Sequence, residues 1–344
     1  MPKGRRKKER LPGTPPRPIV LLAALALATG TGAAVWFLPA GATQEAPAPT
    51  VLAMPSAVTP SASASPVASE KTIGPSGYVA FVDTARYPGA DLPAAARRDG
   101  VRWYTLGHLV AGGDGCAAKW NGSLDLGANP VANRIGGLRA EGADAGPVFG
   151  GPSGRELADA CVELDRLTTA YRRVVSAFGS RFAEFDIRDS SGDSAVLRRA
   201  RALRTLQAER PLSVSFTLPL GPAGLAPRDV ALLRATREAG ARVSVVNLLT
   251  SIEPRQAPEG RMRRVAAAVR LAQGQIARAH ALTDPAAAWR QIAVTCVLVS
   301  PDDLGATDAR KLSAFAGRHG LAWLSARGAE PAPVVAQILR ATRT

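Results

Sequence analysis

A regular alternation of short apolar runs with amphipathic stretches, beginning at Tyr78, most constrains the fold. The apolar runs are short and several are rich in β-branched residues, which is typical of buried parallel strands. They span Tyr78–Val82, Val101–Leu106, Gly146–Phe149, Phe182–Ile187, Leu212–Leu218, Val243–Leu249, Ile292–Val299 and Leu321–Leu324. Eight strands that alternate with helices predict a closed α/β barrel of the (β/α)8 type, whose active face lies at the carboxyl ends of the strands.

The stretches between these runs carry apolar residues at three- and four-residue spacing, which predicts amphipathic helices. They are Ser153 to Ala177, Ser194–Glu209, Pro227–Ala239, Gly260–Ala281, Thr307–His319 and Pro331–Thr342. Prolines lie at or near several of the starts, where a missing N–H group costs nothing. The barrel is expected to occupy residues 74–344, a length that suits one large domain with its own core.

The N-terminal part has a different character from the rest of the chain. Residues 1–18 are rich in Lys and Arg and are predicted to form a basic cytoplasmic tail. Residues 19–38 are apolar and, at about 1.5 Å per residue, long enough to cross a bilayer as a helix with the N-terminus inside. Ala40-Gly41-Ala42 also fits a cleavage site, so a removed signal sequence stays open as the alternative. Residues 39–73, rich in Pro, Ala and Ser, are predicted to be a linker.

Charge and composition exclude several classes of function. The formal net charge is +15, with 43 basic and 28 acidic residues, but the basic residues after the tail are single arginines spread over predicted helices. Nucleic-acid binders more often cluster such residues with aromatics, so no nucleic-acid partner is expected. The three cysteines and three histidines show no ligand spacing, so neither a metal site nor a cofactor is predicted. The sequence leaves the oligomeric state open.

The fourth apolar run carries an unusual charge pattern. Alternate residues of a strand share one face, so Glu184, Asp186 and Arg188 are expected to point together into the mouth of the barrel. Burying such charged side chains is energetically costly, so they are expected either to serve a function or to form ion pairs. Two interpretations follow: a charge-balanced ion-pair cluster that fills the top of the barrel, or a site that binds a ligand.

Over about residues 77–327, several segments resemble glycoside hydrolase family 18, the chitinase family, in their sequence, order and spacing. The helix that contains Glu156 and Cys161 contributes to this resemblance. The other segments are Tyr78–Asp83, Phe149–Gly154, Leu212–Pro219, Val245–Asn247 and Gly260–Met262. The resemblance implies a chitinase-type barrel, and more narrowly the secreted actinobacterial kind.

The resemblance also implies where catalytic residues would lie. The family's fourth-strand motif is Asp-x-Asp-x-Glu, in which the last residue is the general acid and the middle Asp orients the N-acetyl group of the substrate. Here the motif reads Glu184, Asp186, Arg188, so the middle Asp is kept and an arginine replaces the acid. Arginine stays protonated near neutral pH and cannot donate that proton. We therefore predict that no catalytic residue set is intact.

Two further positions differ from the family. Glu253 falls where the family has a sugar-positioning Tyr, and Arg327 falls where it has a Trp that forms the floor of the sugar subsite. Asp186, Glu253 and Arg327 are the candidate substrate-binding residues. Four tryptophans are candidate sugar platforms, although Trp323 lies within a predicted strand and fits the core better. The four are Trp103, Trp120, Trp289 and Trp323.

These observations predict an extracytoplasmic, chitinase-like barrel that binds a cell-envelope or extracellular glycan without hydrolysing it. Two alternatives stay open: an active hydrolase of N-acetylglucosamine polymers, and a structural or protein-interaction module without a sugar site. An oxidising compartment would allow Cys116 and Cys161 to form a disulfide, the alternative being that all three cysteines are buried thiols. Cys296 lies in an apolar strand and is expected to stay reduced.

Overall fold

The computed structural model describes residues 74–188, 192–253 and 259–342. The predicted basic tail (1–18), apolar segment (19–38) and linker (39–73) lie outside these residues. Within the three described ranges, no helix is long and apolar enough to cross a membrane.

A closed barrel of eight parallel strands forms the centre of the described chain. Including one short extra strand, the order is β1 (Gly77–Asp83), β2 (Trp103–Ala111), β3 (Ala118–Trp120), β4 (Asp144–Gly150), β5 (Phe182–Asp186), β6 (Ser213–Pro219), β7 (Val245–Ser251), β8 (Ile292–Leu298) and β9 (Trp323–Gly328). All but β3 pair in parallel with their neighbours, and β9 closes the barrel by pairing with β1. Each of the eight predicted apolar runs corresponds to one barrel strand, so the predicted barrel is confirmed.

The strand β3 is an antiparallel addition that the sequence did not predict. It pairs with the carboxyl-terminal half of β2, with Leu109 opposite Trp120 and Ala111 opposite Ala118. The β2–β3 hairpin therefore extends the barrel wall on the face where active sites of such barrels lie.

Nine α-helices in the described part of the chain surround the barrel. They are α1 (Leu92–Asp99), α2 (Ile135–Ala140), α3 (Leu157–Ala160), α4 (Leu164–Phe178), α5 (Asp193–Glu209), α6 (Pro227–Glu238), α7 (Arg261–Ala279), α8 (Ala306–His319) and α9 (Pro333–Arg340). The single helix predicted from Ser153 to Ala177 is wrong, because α3 and α4 divide that stretch. Glu156 caps α3 by accepting from the Ala158 N–H group, and Cys161 leaves the helix with an extended backbone.

The core has two parts, one on each side of the sheet. Between the sheet and the helices, Phe149 stacks on Phe185 with ring centroids 4.9 Å apart, and Tyr171 meets both rings edge-on. Inside the barrel, a smaller cluster that includes Val79 and Trp323 fills the amino-terminal end. Because Phe185 faces the helices, its neighbours along β5 face the interior.

Candidate functional site

The charged residues of β5 lie inside the barrel at its carboxyl-terminal end. Glu184 and Asp186 are each about 1% exposed, and they flank Phe185, which points outward. Strand alternation thus brings two carboxylates to the interior, as the sequence predicts. An unpaired carboxylate buried to this degree would be strongly destabilising, so the partners of these two decide what the site can do.

Arg188 forms a two-pronged ion pair with Asp186. Its Nε donates to Oδ1 of Asp186 at 2.6 Å and its Nη2 donates to Oδ2 at 3.0 Å. The side chain of Arg188 is 27% exposed, so it closes the top of the cluster towards solvent. An ion pair within this strand is what the interpretation as a charge-balanced cluster predicts.

Arg327 reaches the same carboxylates from β9, on a different part of the barrel wall. Its Nη1 donates to Oδ2 of Asp186 at 2.7 Å, and its Nη2 donates to Oε1 of Glu184. The guanidinium lies over the ring of Phe81, 4.1 Å from the ring centroid, which adds a cation–π contact. The position that the sequence offered as a substrate-binding candidate therefore holds the counterion of both carboxylates.

A line of uncharged polar side chains continues the cluster across the barrel. Thr217 donates its hydroxyl to Oε1 of Glu184, Asn247 donates to Thr217 at 3.0 Å, and Thr295 donates to Asn247 at 2.8 Å. All three are buried and lie on β6, β7 and β8. Sequence reasoning missed this line, although each residue has the strand alternation of an inward-facing position.

The cluster is electrically balanced, with two carboxylates and two guanidiniums. Burial by itself would raise the pKa of Asp186, but Arg327 and the hydrogen bonds from Arg188 outweigh it, so this pKa lies below its ordinary value. Asp186 is therefore a carboxylate at neutral pH. Both of its oxygens accept hydrogen bonds from guanidinium groups and hold no proton to donate.

His108 borders the cluster from the carboxyl-terminal half of β2. Its Nδ1 lies 3.0 Å from the carbonyl oxygen of Gly150, which assigns the proton to Nδ1 because a carbonyl can only accept. Its ring also lies 5.1 Å from that of Phe81. Burial, followed by the positive charge of Arg327, lowers the pKa of His108, so the imidazole is neutral at pH 7. No sequence motif includes His108, so the sequence did not identify it as a site residue.

Two glycines, the last residue of β4 and the residue that follows it, let the backbone approach this site closely. A Cβ at Gly150, where φ is +77°, would lie 2.5 Å from the carbonyl oxygen of Asp186. A Cβ at Gly151 would lie 2.2 Å from Nδ1 of His108. Only glycine fits at these two positions, which explains the Gly-Gly pair that the sequence comparison with the chitinase family picked out.

The cavity at the mouth is small. It encloses about 100 Å³ and is lined mainly by the segment after β4 and the end of β5. Its lining residues are Gly151, Gly154, Arg155, Glu156, Asp159, Asp186, Ile187 and Arg188. Pockets that enclose small ligands generally measure about 300–1,000 Å³. A larger ligand could therefore contact this site only from the open side.

The carboxylate of Glu156, beside this cavity, is also fully engaged. Tyr171 donates to its Oε1 at 2.6 Å, and Arg199 donates to its Oε2 at 2.9 Å. Burial and then the adjacent Glu156 raise the pKa of Tyr171 well above its usual value, so the phenol keeps its proton. This network fixes the segment after β4 to helices α4 and α5.

The remaining candidates do not join the cluster. Glu253, just after β7, pairs with Arg264 of α7, and its side chain is 42% exposed. Trp120 and Trp323 are buried, and Trp103 packs edge-on against Phe182. The fourth tryptophan, Trp289, stacks on His319 outside the barrel, 4.2 Å between ring centroids. None of the four lines the mouth cavity in the described structure.

A disulfide joins Cys116 to Cys161, with 4.7 Å between the Cα atoms. Cys116 follows β2 and Cys161 ends α3, so the bond ties the β2–β3 hairpin to the segment after β4. Cys296 is a buried free thiol.

Comparison with known proteins shows that the chain is similar to chitinases. No family model matches it. It is 25% identical over 181 residues to a probable bifunctional chitinase/lysozyme of Escherichia coli, and 26% identical over 182 residues to endochitinase 11 of Metarhizium anisopliae. These alignments cover 50% of this chain but only 20% and 34% of the two relatives, so the chain spans a minor part of their length.

Solved structures agree on the fold. The active domain 2 of a thermostable chitinase from Pyrococcus furiosus, solved with chito-oligosaccharides, has a TM-score of 0.67 and 21% identity, covering 76% of this chain and 93% of that one. A GH18 chitinase from Pseudoalteromonas aurantia has a TM-score of 0.57 at 10% identity, covering 77% and 98%. Fold and sequence likeness together define a chitinase-type (β/α)8 barrel. The resemblance to glycoside hydrolase family 18 is thereby confirmed.

Proposed function

We propose that this protein is an extracytoplasmic, chitinase-type barrel that binds a glycan and does not hydrolyse it. The observation that carries this proposal is the state of the two interior carboxylates. Asp186 accepts from Arg188 and Arg327, and Glu184 accepts from Arg327 and Thr217. Both carboxylates are thus engaged inside the protein, with Arg327 as their shared partner.

Glycoside hydrolysis of this type requires a protonated acid within hydrogen-bond reach of the glycosidic oxygen. By the resemblance to the chitinase family, Arg188 falls at the place of that acid, and its guanidinium holds its proton permanently. The pKa of Asp186 is lowered, and that of His108 is lowered as well, so neither supplies a proton at neutral pH. The missing acid alone is worth a factor of about 10²–10⁴ in rate.

The charge of Arg188 opposes the reaction further. The transition state of glycoside cleavage has oxocarbenium-ion character, so positive charge develops on the sugar. A fixed guanidinium beside that sugar raises its energy, whereas a catalytic site presents stabilising charge there. These two effects support activity close to background.

Glycan binding is supported by the chitinase relatives and by the form of the mouth. Because the cavity is too small to enclose a sugar ring, the glycan is expected to lie across the open mouth and to contact Arg188 and Arg155 from outside. Tyr87, in the loop after β1, is 44% exposed and offers an aromatic face on the same side of the barrel.

An extracytoplasmic location is supported by two independent features. In residues 1–38, a basic stretch precedes an apolar segment that is long enough to span a membrane. The Cys116–Cys161 disulfide suits an oxidising compartment. A reporter that works only in the cytoplasm, fused after Thr344, should be silent, and a signal from it would contradict this location.

The direct test measures binding and hydrolysis on the same purified full-length protein. We expect retention on chitin or on immobilised N-acetylglucosamine oligomers, reduced by Tyr87→Ala, with no release of shorter products. Arg188→Glu should restore little turnover, because it adds a third carboxylate to a site that Arg327 still occupies. Clear wild-type turnover that disappears in Asp186→Asn or Glu184→Gln would show a working carboxylate and refute the inactive barrel. Failure to bind any glycan would refute the binding part alone.

A further inference from the structure

A groove of about 860 Å³ runs between helices α7 and α8 on the outside of the barrel. We call it the α7–α8 groove. It is lined by Glu259, Gly260, Arg261, Met262, Arg263, Val265, Ala266, Val269, Arg270, Asp308, Lys311, Leu312, Phe315 and Arg318. It is far larger than the cavity at the barrel mouth, and the proposed glycan binding does not use it.

The rims of the groove are positively charged. Five of the lining side chains are basic and two are acidic, and the acid Asp308 is already paired with Arg261 at the N-terminal end of the groove. Four rim cations remain: Arg263 and Arg270 on α7, and Lys311 and Arg318 on α8. The described residues give none of these four an ion pair, and all four side chains are exposed.

The rim cations are regularly arranged. Along each helix, the two cations are roughly two turns apart and therefore lie on one face. The four cations therefore form two pairs along the groove, and each pair has one cation from α7 and one from α8. After burial, the charges of Arg270 and Arg318 lower the pKa of His319, which reflects the positive field at the far end of the groove.

The floor of the groove is apolar. Met262, Val265 and Val269 contribute from α7, and Leu312 and Phe315 contribute from α8. Arg270 lies over the ring of Phe315, 5.4 Å from its centroid, so the rim and the floor meet there. An apolar channel with cations on both edges is complementary to a segment that has an apolar stripe between acidic residues.

We propose that the α7–α8 groove binds an acidic amphipathic helix of a partner protein, one of about four turns. The length follows from α8, whose 14 residues measure about 21 Å at 1.5 Å per residue. Acidic side chains two turns apart would pair with the rim cations, and apolar side chains between them would cover the floor.

Two other anionic ligands fit the groove less well. A phosphate-bearing polymer would use the cations but gain nothing from Val265 and the rest of the floor. A membrane surface is flat at this scale and would contact the rims without entering the channel. The combination of concave shape, apolar floor and paired cations favours a protein helix.

The experiment uses full-length protein and a fluorescent, amidated 16-residue peptide of leucine and glutamate. Leucines at helical positions 1, 4, 5, 8, 12 and 15 form one stripe, and a scrambled peptide of the same composition is the reference. Fluorescence anisotropy at about 0.15 M salt measures binding.

Three sets of variants change the groove. Arg263→Glu with Arg270→Glu reverses the charge of the α7 rim, and Lys311→Glu with Arg318→Glu reverses the charge of the α8 rim. Val265→Thr makes the floor polar at nearly constant volume. Arg201→Glu with Arg204→Glu, exposed arginines of α5, is the matched control.

We expect the striped peptide to bind at least tenfold more tightly than the scrambled one. Reversing either rim should weaken its binding at least tenfold, the Val265 variant should weaken it about threefold, and the α5 control should change it less than twofold. Circular dichroism of each variant verifies its fold, and Arg270→Gln with Lys311→Gln replaces any reversal that fails to fold. The proposal would be overturned if both peptides bound equally, or if reversing the rims did not change binding. It would also be overturned if polyphosphate bound through the rim cations while the Val265 variant bound the peptide normally.

Discussion

Replacing Arg327 with methionine tests the interior cluster most directly. Methionine keeps much of the side-chain volume but removes the charge that Glu184 and Asp186 share. Asp186 retains Arg188, whereas Glu184 keeps only the hydroxyl of Thr217 among the partners described. Removing one partner of a buried ion pair generally costs about 3–5 kcal/mol, because the other charge stays buried without compensation. The lost contact with Phe81 adds about 1 kcal/mol.

The measurement is urea unfolding of the purified protein, followed by circular dichroism at pH 7. We expect Arg327→Met to lower the free energy of unfolding by about 5 kcal/mol. Arg264→Met removes an ion pair whose two side chains are 44% and 42% exposed, so it should leave the free energy of unfolding nearly unchanged.

A double variant separates the charge effect from packing. Adding Glu184→Gln to Arg327→Met removes the uncompensated carboxylate, and the amide can still accept from Thr217. About 2 kcal/mol should be recovered, as a coupling energy between the two positions. A loss below about 1 kcal/mol in Arg327→Met, or no recovery in the double variant, would refute the assignment of Arg327 as the counterion.

Three further predictions concern the thiols and Asp186. Mass spectrometry of the unreduced protein should show the Cys116–Cys161 disulfide, and free thiols at both positions would contradict this prediction. Replacing both cysteines with serine should lower the free energy of unfolding by about 4 kcal/mol, from the loop-closure estimate for a separation of 45 residues. Burial raises the pKa of Cys296 to about 12, so iodoacetamide at pH 8 should modify it only after denaturation. Because the pKa of Asp186 is lowered on folding, its stabilising contribution is present above about pH 4 and is lost as the pH falls through the folded value. Urea midpoints between pH 7 and pH 3 should therefore fall less steeply in Asp186→Asn, and parallel curves would contradict this.

The barrel was predictable from the sequence because its strands are local patterns. Each apolar run has the length and composition of a buried parallel strand, and the helices between the runs show a helical period. The β2–β3 hairpin was not predictable, since a strand of three residues has no period. The break between α3 and α4 also escaped, because the apolar spacing continues through Cys161 while the backbone does not.

The candidate site was predictable only where its residues are neighbours in sequence. Glu184, Asp186 and Arg188 share a face by strand alternation, and the Arg188–Asp186 ion pair follows from that. The role of Arg327 depends on barrel closure, which no local pattern encodes. Position 253 was selected by likeness to a family, but its side chain pairs with Arg264, a local partner that the family pattern does not specify.

The ion pairs of Arg327 also bear on how the chain completes its fold. They join residues 141 and 143 positions apart, so they form only when the last barrel strand is in place. Until then, Arg188 can neutralise Asp186 locally, but Glu184 has no cation available from β9. A chain that ends before β9 therefore has to keep this part of the interior open to water, since closing it would bury an uncompensated carboxylate. Burial of the barrel interior is coupled to arrival of the final strand, which makes incompletely synthesised chains poor at closing and easy for proteases to recognise.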